Sequence, residues 1–144
     1  MRLTTRGRHA VAAMTHLALH DGERPVVLAQ LGGMDGISLS YLAVLFSRLR
    51  REGLVRVVRG KGGGYLLGRP AAEIDMADIV AAVDSGSITS GCGGRGHCRG
   101  AGTGRCAAHE LWMSLDAALI ERLRAVTLQD LADERRARTR PTAG

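Results

Sequence analysis

Three cysteines and a histidine, Cys92, Cys98, Cys106 and His109, are the residues of this chain best suited to chemistry. They are spaced C-x5-C-x7-C-x2-H and include every cysteine of the 144-residue sequence. Thiolate sulfur and imidazole nitrogen form the kind of donor set that holds zinc or iron-sulfur centres. An odd cysteine count does not close into a disulfide framework, and in a reducing compartment it points to metal or redox chemistry. The segment from Cys92 to His109 is built almost entirely of Gly, Arg, Ala and Thr, and eight glycines fall between Gly86 and Gly104. Without large apolar side chains it has no core of its own and is too flexible to hold one shape unaided. A bound metal would order it. Cys106 and His109, three apart at the start of a predicted helix, share a face, whereas Cys92 and Cys98 must fold over from the loop. Structural zinc accepts three cysteines and a histidine, but such sites usually pair ligands as C-x2-4-C, tighter than the spacing here.

The elements around this loop point to nucleic acid. Residues 1–70 carry 11 Lys and Arg against 4 Asp and Glu, while residues 71–144 carry 9 against 10, so the net charge of +6 resides in the first half. Such an excess is the footprint of a polyanion partner, because Lys and Arg replace counterions condensed on phosphates. Thr4 or Thr5 is placed to cap a first helix running to about His20, with Ala10, Val11, Met14, Leu17 and Ala18 as its apolar stripe. His9, His16 and His20 on this helix are expected at its surface or boundary. Pro25 precedes VVLAQLGG, which predicts a second helix of about two turns ended by Gly32 and Gly33. A turn through Gly36 follows, and Ser38 caps a third helix to about Glu52. Leu39, Leu42, Leu45, Phe46 and Leu49 form its expected buried stripe. Its other face carries Ser40, Tyr41, Ala43, Ser47, Arg48, Arg50 and Arg51, with small polar residues early and cations late. An ordinary amphipathic helix with a basic solvated face would look similar, but this is also the layout of a recognition helix.

The residues after Gly53 favour recognition. LVRVVRG and GYLLG flank a glycine-rich tip and predict a β-hairpin wing, with Arg59, Lys61, Gly62 and Gly63 where backbone and cations can approach a groove or a phosphate. The same glycines do not match G-x-x-x-x-G-K-[ST], and no helix starts just behind them, which excludes a P-loop. Asp75, with Asp78 three residues on, predicts a capped helix to about Asp84 that closes the first domain. A long helix from about Cys106 to Arg124 carries Leu111, Leu115, Ala118, Leu119 and Leu123, more apolar surface than so small a domain needs, and is expected to form a dimer contact. Thr127 starts a further short helix. The stretch from Glu134 is polar and is expected to be disordered.

The fold class expected is mainly α with a small β wing. Residues 1–84 form a winged helix-turn-helix domain, 85–105 a cluster-binding loop, 106–132 the dimerisation helix with a short C-terminal helix, and 133–144 a disordered tail. No run of about 18 apolar residues occurs and MRLTTRGRHA lacks a signal-type apolar region, so the expected location is cytoplasmic, with no membrane partner. No Ser/His/Asp set or nucleotide motif is present, and an enzyme is not expected.

With the helix-turn-helix, the wing and the C-x5-C-x7-C-x2-H loop in view, the chain resembles the IscR-type iron-sulfur transcriptional regulators over residues 1 to about 132. MRLTTRGRHAVAAM, GISLSYL followed by LFSRLRREGLV, and VRGKGGGYLLG carry the resemblance. It implies a winged-helix homodimer on palindromic double-stranded promoter DNA, with a 2Fe-2S cluster on Cys92, Cys98, Cys106 and His109. It further implies the iron-sulfur assembly machinery as cluster donor and control of iron-sulfur biogenesis genes. The DNA contacts would come from Ser38, Ser40, Tyr41, Arg48, Arg50, Arg51, Arg59, Lys61, Gly62 and Gly63. An imidazole in place of one thiolate makes such a site less negative, which raises its reduction potential and permits proton coupling.

Two departures stand out. The second-to-third cysteine interval is longer than in typical relatives by a glycine-rich pair, which leaves the ligand set intact. Many relatives carry Glu-Gln after Ser-Tyr-Leu, whereas this chain has Ala43 and Val44, so its sequence preference is expected to differ and to lean on Ser38, Ser40, Tyr41, Arg59 and DNA shape. Sister families of nitric-oxide- or iron-responsive repressors keep three cysteines around a 4Fe-4S cluster; His109 favours the 2Fe-2S type. The other alternative is a cluster-independent DNA binder stabilised by zinc.

Overall fold

The computed structural model describes residues 4–20, 24–32, 36–84 and 107–140. Within them the expected class is found: helices with one two-stranded antiparallel sheet. The order is α1 (Thr5–Leu19), α2 (Leu28–Leu31), α3 (Leu39–Arg51), β1 (Val55–Val58), β2 (Gly64–Leu67), α4 (Met76–Val83), α5 (His109–Arg124) and α6 (Leu128–Thr139), with a 3-10 turn at Ala71–Glu73.

Helix starts fall where short polar side chains satisfy unpaired amides. Thr4 accepts from the Gly7 N–H at 3.3 Å, Ser38 from Tyr41 at 3.3 Å, Asp75 from Asp78 at 2.8 Å and Thr127 from Asp130 at 3.1 Å. Each such cap contributes about 1 kcal/mol. The core is built as composition requires, from aliphatics and one aromatic: Ala10, Met14 and Leu17 of α1 meet Leu42, Leu45, Phe46 and Leu49 of α3 and Ile79 and Val83 of α4. Gly36, with φ +67°, makes the turn before α3.

Four expectations are corrected. α2 has one turn rather than two, because Val26 exchanges backbone hydrogen bonds with Tyr65 at 2.9 and 2.8 Å and so extends the wing as a bridge instead of entering the helix. Leu39 is 52% exposed although its spacing matches the buried stripe. It stands at the first position of α3, above Gly32, which has no side chain to cover it.

The third and fourth corrections concern the C-terminus. Leu128 is fully buried and Ala132 is 1% exposed, both inside the core of the winged domain. The chain returns because Met76 N–H donates to Val126 O at 3.0 Å and Leu128 N–H to Ile74 O at 2.7 Å. The helix assigned with the dimerisation element is therefore part of the first domain. It also runs to Thr139, into the stretch from 133 expected to be disordered. Arg136 bonds to Ala18 O at 3.3 Å and pairs with Asp133, and Arg138 pairs with Glu134, so charged side chains hold the last two turns of the helix, where Ala137 is the one apolar residue. Residues 141–144 lie outside the described residues.

Candidate nucleic-acid interface and metal centre

α3 is fixed in rotation by its buried face, since Leu42, Leu45, Phe46 and Leu49 are all at 0% exposure. Ser38, Ser40, Ala43, Val44, Ser47, Arg50 and Arg51 are left exposed. Two of the expected DNA contacts are held by the protein itself. Tyr41 is half-buried, its hydroxyl 3.4 Å from Nδ1 of His9 and its ring edge-on to that imidazole. Arg48 is half-buried and donates from Nη1 to the carbonyl of Val83 at 2.7 Å. That carbonyl belongs to the last turn of α4, where unpaired acceptors and the negative end of the helix dipole attract a cation. Spacing on α3 alone gave no sign of a partner 35 residues away.

The wing is set by its register, Val55 opposite Leu67 through Val58 opposite Gly64, and by Tyr65, whose ring packs edge-on against Phe46 of α3 with centroids 4.7 Å apart. At the tip Gly62 has φ +77°, and a Cβ on Gly63 would lie 2.2 Å from the carbonyl oxygen of Val58, so the tight turn requires glycine at both. Arg59 and Lys61 are exposed there. Arg56, on β1, is exposed as well and joins them as a cation that strand alternation could have identified. Arg50 and Arg51 at the end of α3 and Arg56, Arg59 and Lys61 of the wing are thus exposed cations, while the exposed middle of α3 carries no charge.

Of the expected metal ligands, His109 is the first residue of α5 and only 7% exposed. Cys92, Cys98 and Cys106 lie outside the described residues. Among the described residues no group of three or more His, Cys, Asp or Glu converges on one point. The stretch that holds the cysteines follows Asp84, whose carboxylate accepts a hydrogen bond from the Thr4 hydroxyl at the start of α1. Beyond it, α5 packs against α4 and exposes Leu111, Trp112, Met113 and Leu115. Among the described residues no helix is long and apolar enough to cross a membrane.

Residues 3–134 match the sequence profile of the Rrf2 family, described as an iron-dependent transcriptional regulator. The chain is 49% identical over 133 residues to the HTH-type transcriptional regulator IscR of Photorhabdus laumondii, covering 92% of this chain and 80% of that protein. It is 48% identical over 131 residues to the regulator of the same name from Vibrio cholerae, covering 91% and 75%. Among solved structures it is similar to IscR of T. potens, with a TM-score of 0.79 and 29% identity over 99% of this chain and 94% of that one. It is also similar to CymR, the global cysteine regulator of B. subtilis, with a TM-score of 0.75 and 31% identity over 93% and 98%.

Proposed function

The chain belongs to the Rrf2 family of transcriptional regulators, and from that premise we propose a cytoplasmic homodimer whose hold on promoter DNA responds to a 2Fe-2S cluster on Cys92, Cys98, Cys106 and His109. The observation that carries this is the place of His109: a buried imidazole on the first turn of α5, at the far end of the one segment that contains every cysteine. The donor set fits the cluster, since three thiolates and an imidazole supply the four protein ligands that two irons require. When bound, the cluster supplies a compact centre whose charge changes with redox state and occupancy.

The protein's own residues then do the work of transmission. A cluster held by Cys92, Cys98, Cys106 and His109 would tie the residues that follow α4 to the start of α5. The α4 end of that connection touches α1 through the Asp84–Thr4 bond and α3 through the Val83–Arg48 bond. In a dimer formed through α5, a change at this joint alters the separation of two recognition helices whose half-sites lie roughly 34 Å apart. Arg50, Arg51, Arg59 and Lys61 hold phosphates, Ser38 and Ser40 face the groove, and Gly62 and Gly63 let the wing backbone approach. The regulated genes are those of iron-sulfur biogenesis, with the assembly machinery delivering the cluster.

Purification without air tests this. The expected product is red-brown, with visible absorption bands, equal iron and sulfide, and a Mössbauer spectrum of a 2Fe-2S centre. A colourless protein with stoichiometric zinc would overturn the cofactor. Cys92→Ala is expected to change promoter affinity or site preference; indistinguishable binding by apo and holo protein would refute the sensing role.

A further inference from the structure

Spacings of three and four place Ser40, Ala43, Val44, Ser47 and Arg51 in one stripe along α3, opposite the buried leucines. None of the four residues before Arg51 has a side chain longer than valine. From Ser40 to Ser47 the stripe therefore lacks the guanidinium, carboxamide or carboxylate groups that make two-point hydrogen bonds to guanine, adenine or cytosine edges. Tyr41 is turned to His9, and the Ser40 hydroxyl lies 3.3 Å from that of Ser38. What the middle of the stripe offers is apolar: Val44 is 53% exposed with Ala43 beside it, and Leu39, one turn before Ala43, is 52% exposed. Arg50 and Arg51 end the helix that bears this apolar strip, and Arg59 and Lys61 are exposed on the wing whose first strand packs against it, so the partner that reaches the strip is a polyanion.

In the major groove the apolar feature of a base edge is the C5-methyl of thymine. We propose that Val44, assisted by Ala43, reads thymine methyl groups, so that each half-site contains at least one thymine selected by methyl contact rather than by hydrogen bonding. This rests on the DNA-binding function proposed above and adds to it the chemical feature being read.

The test uses the full chain purified without air. Binding sites are selected from random duplexes, and the selected half-site is then made with deoxyuridine at each thymine in turn, which removes the methyl and leaves the pairing edge unchanged. At the contacted position affinity is expected to fall about fourfold, the effect of withdrawing one methyl from apolar contact. In Val44→Ala the ratio of thymine to uracil affinity at that position is expected to fall towards one. Because the ratio is taken within one protein, a change in stability does not mimic it. A ratio of one at every thymine in the unaltered protein would overturn methyl reading, and a ratio kept in Val44→Ala would overturn its assignment to Val44. Recovery of no preferred duplex would instead defeat the DNA-binding function itself.

Discussion

Arg48 of the recognition helix donates a 2.7 Å hydrogen bond to the carbonyl oxygen of Val83, the last residue of α4. The bond is partly buried and joins the element that faces DNA to the one that leads into the cysteine-bearing segment. A hydrogen bond from a charged donor contributes about 1.5–3 kcal/mol. Arg48→Met is expected to lose that much in chemical denaturation, and Arg48→Lys to recover only part, because an ammonium lacks the planar fork. Salt titration separates this role from phosphate binding. Arg51→Met is expected to lower the slope of log K against log salt by about 0.9, and Arg48→Met to leave it unchanged. A drop of that size in Arg48→Met would make it a DNA contact.

Leu128 supplies a second, stronger test of how the domain is built. It is fully buried, and the backbone at its start pairs with Ile74. Truncating a core leucine costs about 2–5 kcal/mol, depending on how far the site collapses. Leu128→Ala is expected to lie in that range by urea denaturation and to destabilise the winged domain as a whole, seen as coincident loss of helical signal and of tyrosine fluorescence. Separate transitions would make α6 an independent appendage.

What could be read in the sequence divides by range of interaction. Thr4, Ser38, Asp75 and Thr127 were legible as caps because a cap bonds three residues along the chain, within the window where spacing carries information. The wing was legible for the same reason, its strands being separated only by a glycine tip. The bridge of Val26 to Tyr65, the return of Leu128 to Ile74 and the bond of Arg48 to Val83 join residues far apart in sequence, and no local pattern marks them. Leu39 shows the converse failure: its periodicity is correct, but burial depends on what lies opposite, and there the neighbour is Gly32. Of the metal centre, the donor types and spacing were the legible part, and His109 is the one donor among the described residues.

His16 gives the fold a pH dependence. Burial, the neighbouring His20 imidazole and the Arg135 cation of α6 hold it below the ordinary histidine value of 6.5. The folded protein therefore protonates His16 less readily than the unfolded chain does. Stability is fully present above the unfolded value, and as pH falls through about 6.5 the unfolded chain takes up the proton first, so stability is lost on acidification. The denaturation midpoint is expected to decline as pH falls below about 6.5 more steeply in the unaltered protein than in His16→Gln. Superimposable profiles would remove His16 as the source.

The exposed face of α5 gives the proposed dimer its test. Leu111 is 55% and Leu115 43% exposed, one turn apart, with Trp112 and Met113 each 36% exposed beside them. Contiguous apolar residues at this exposure mark an interaction surface. Covering a leucine contributes about 1.5–3 kcal/mol, and a two-fold contact counts each side chain on both subunits. The double substitution Leu111→Glu with Leu115→Glu also sets like charges against each other across such a contact. It is expected to weaken dimerisation at least about a hundredfold in sedimentation equilibrium, since even two lost leucine contacts exceed 2.7 kcal/mol. Both leucines are exposed rather than part of the core, so the monomer is expected to keep its helical signal and its weak binding to a single half-site while losing the tight binding to a palindrome that two linked readers give. A variant that sediments as a dimer with unchanged palindrome affinity would place the subunit contact on another surface and leave α5 a helix whose apolar face serves some other partner.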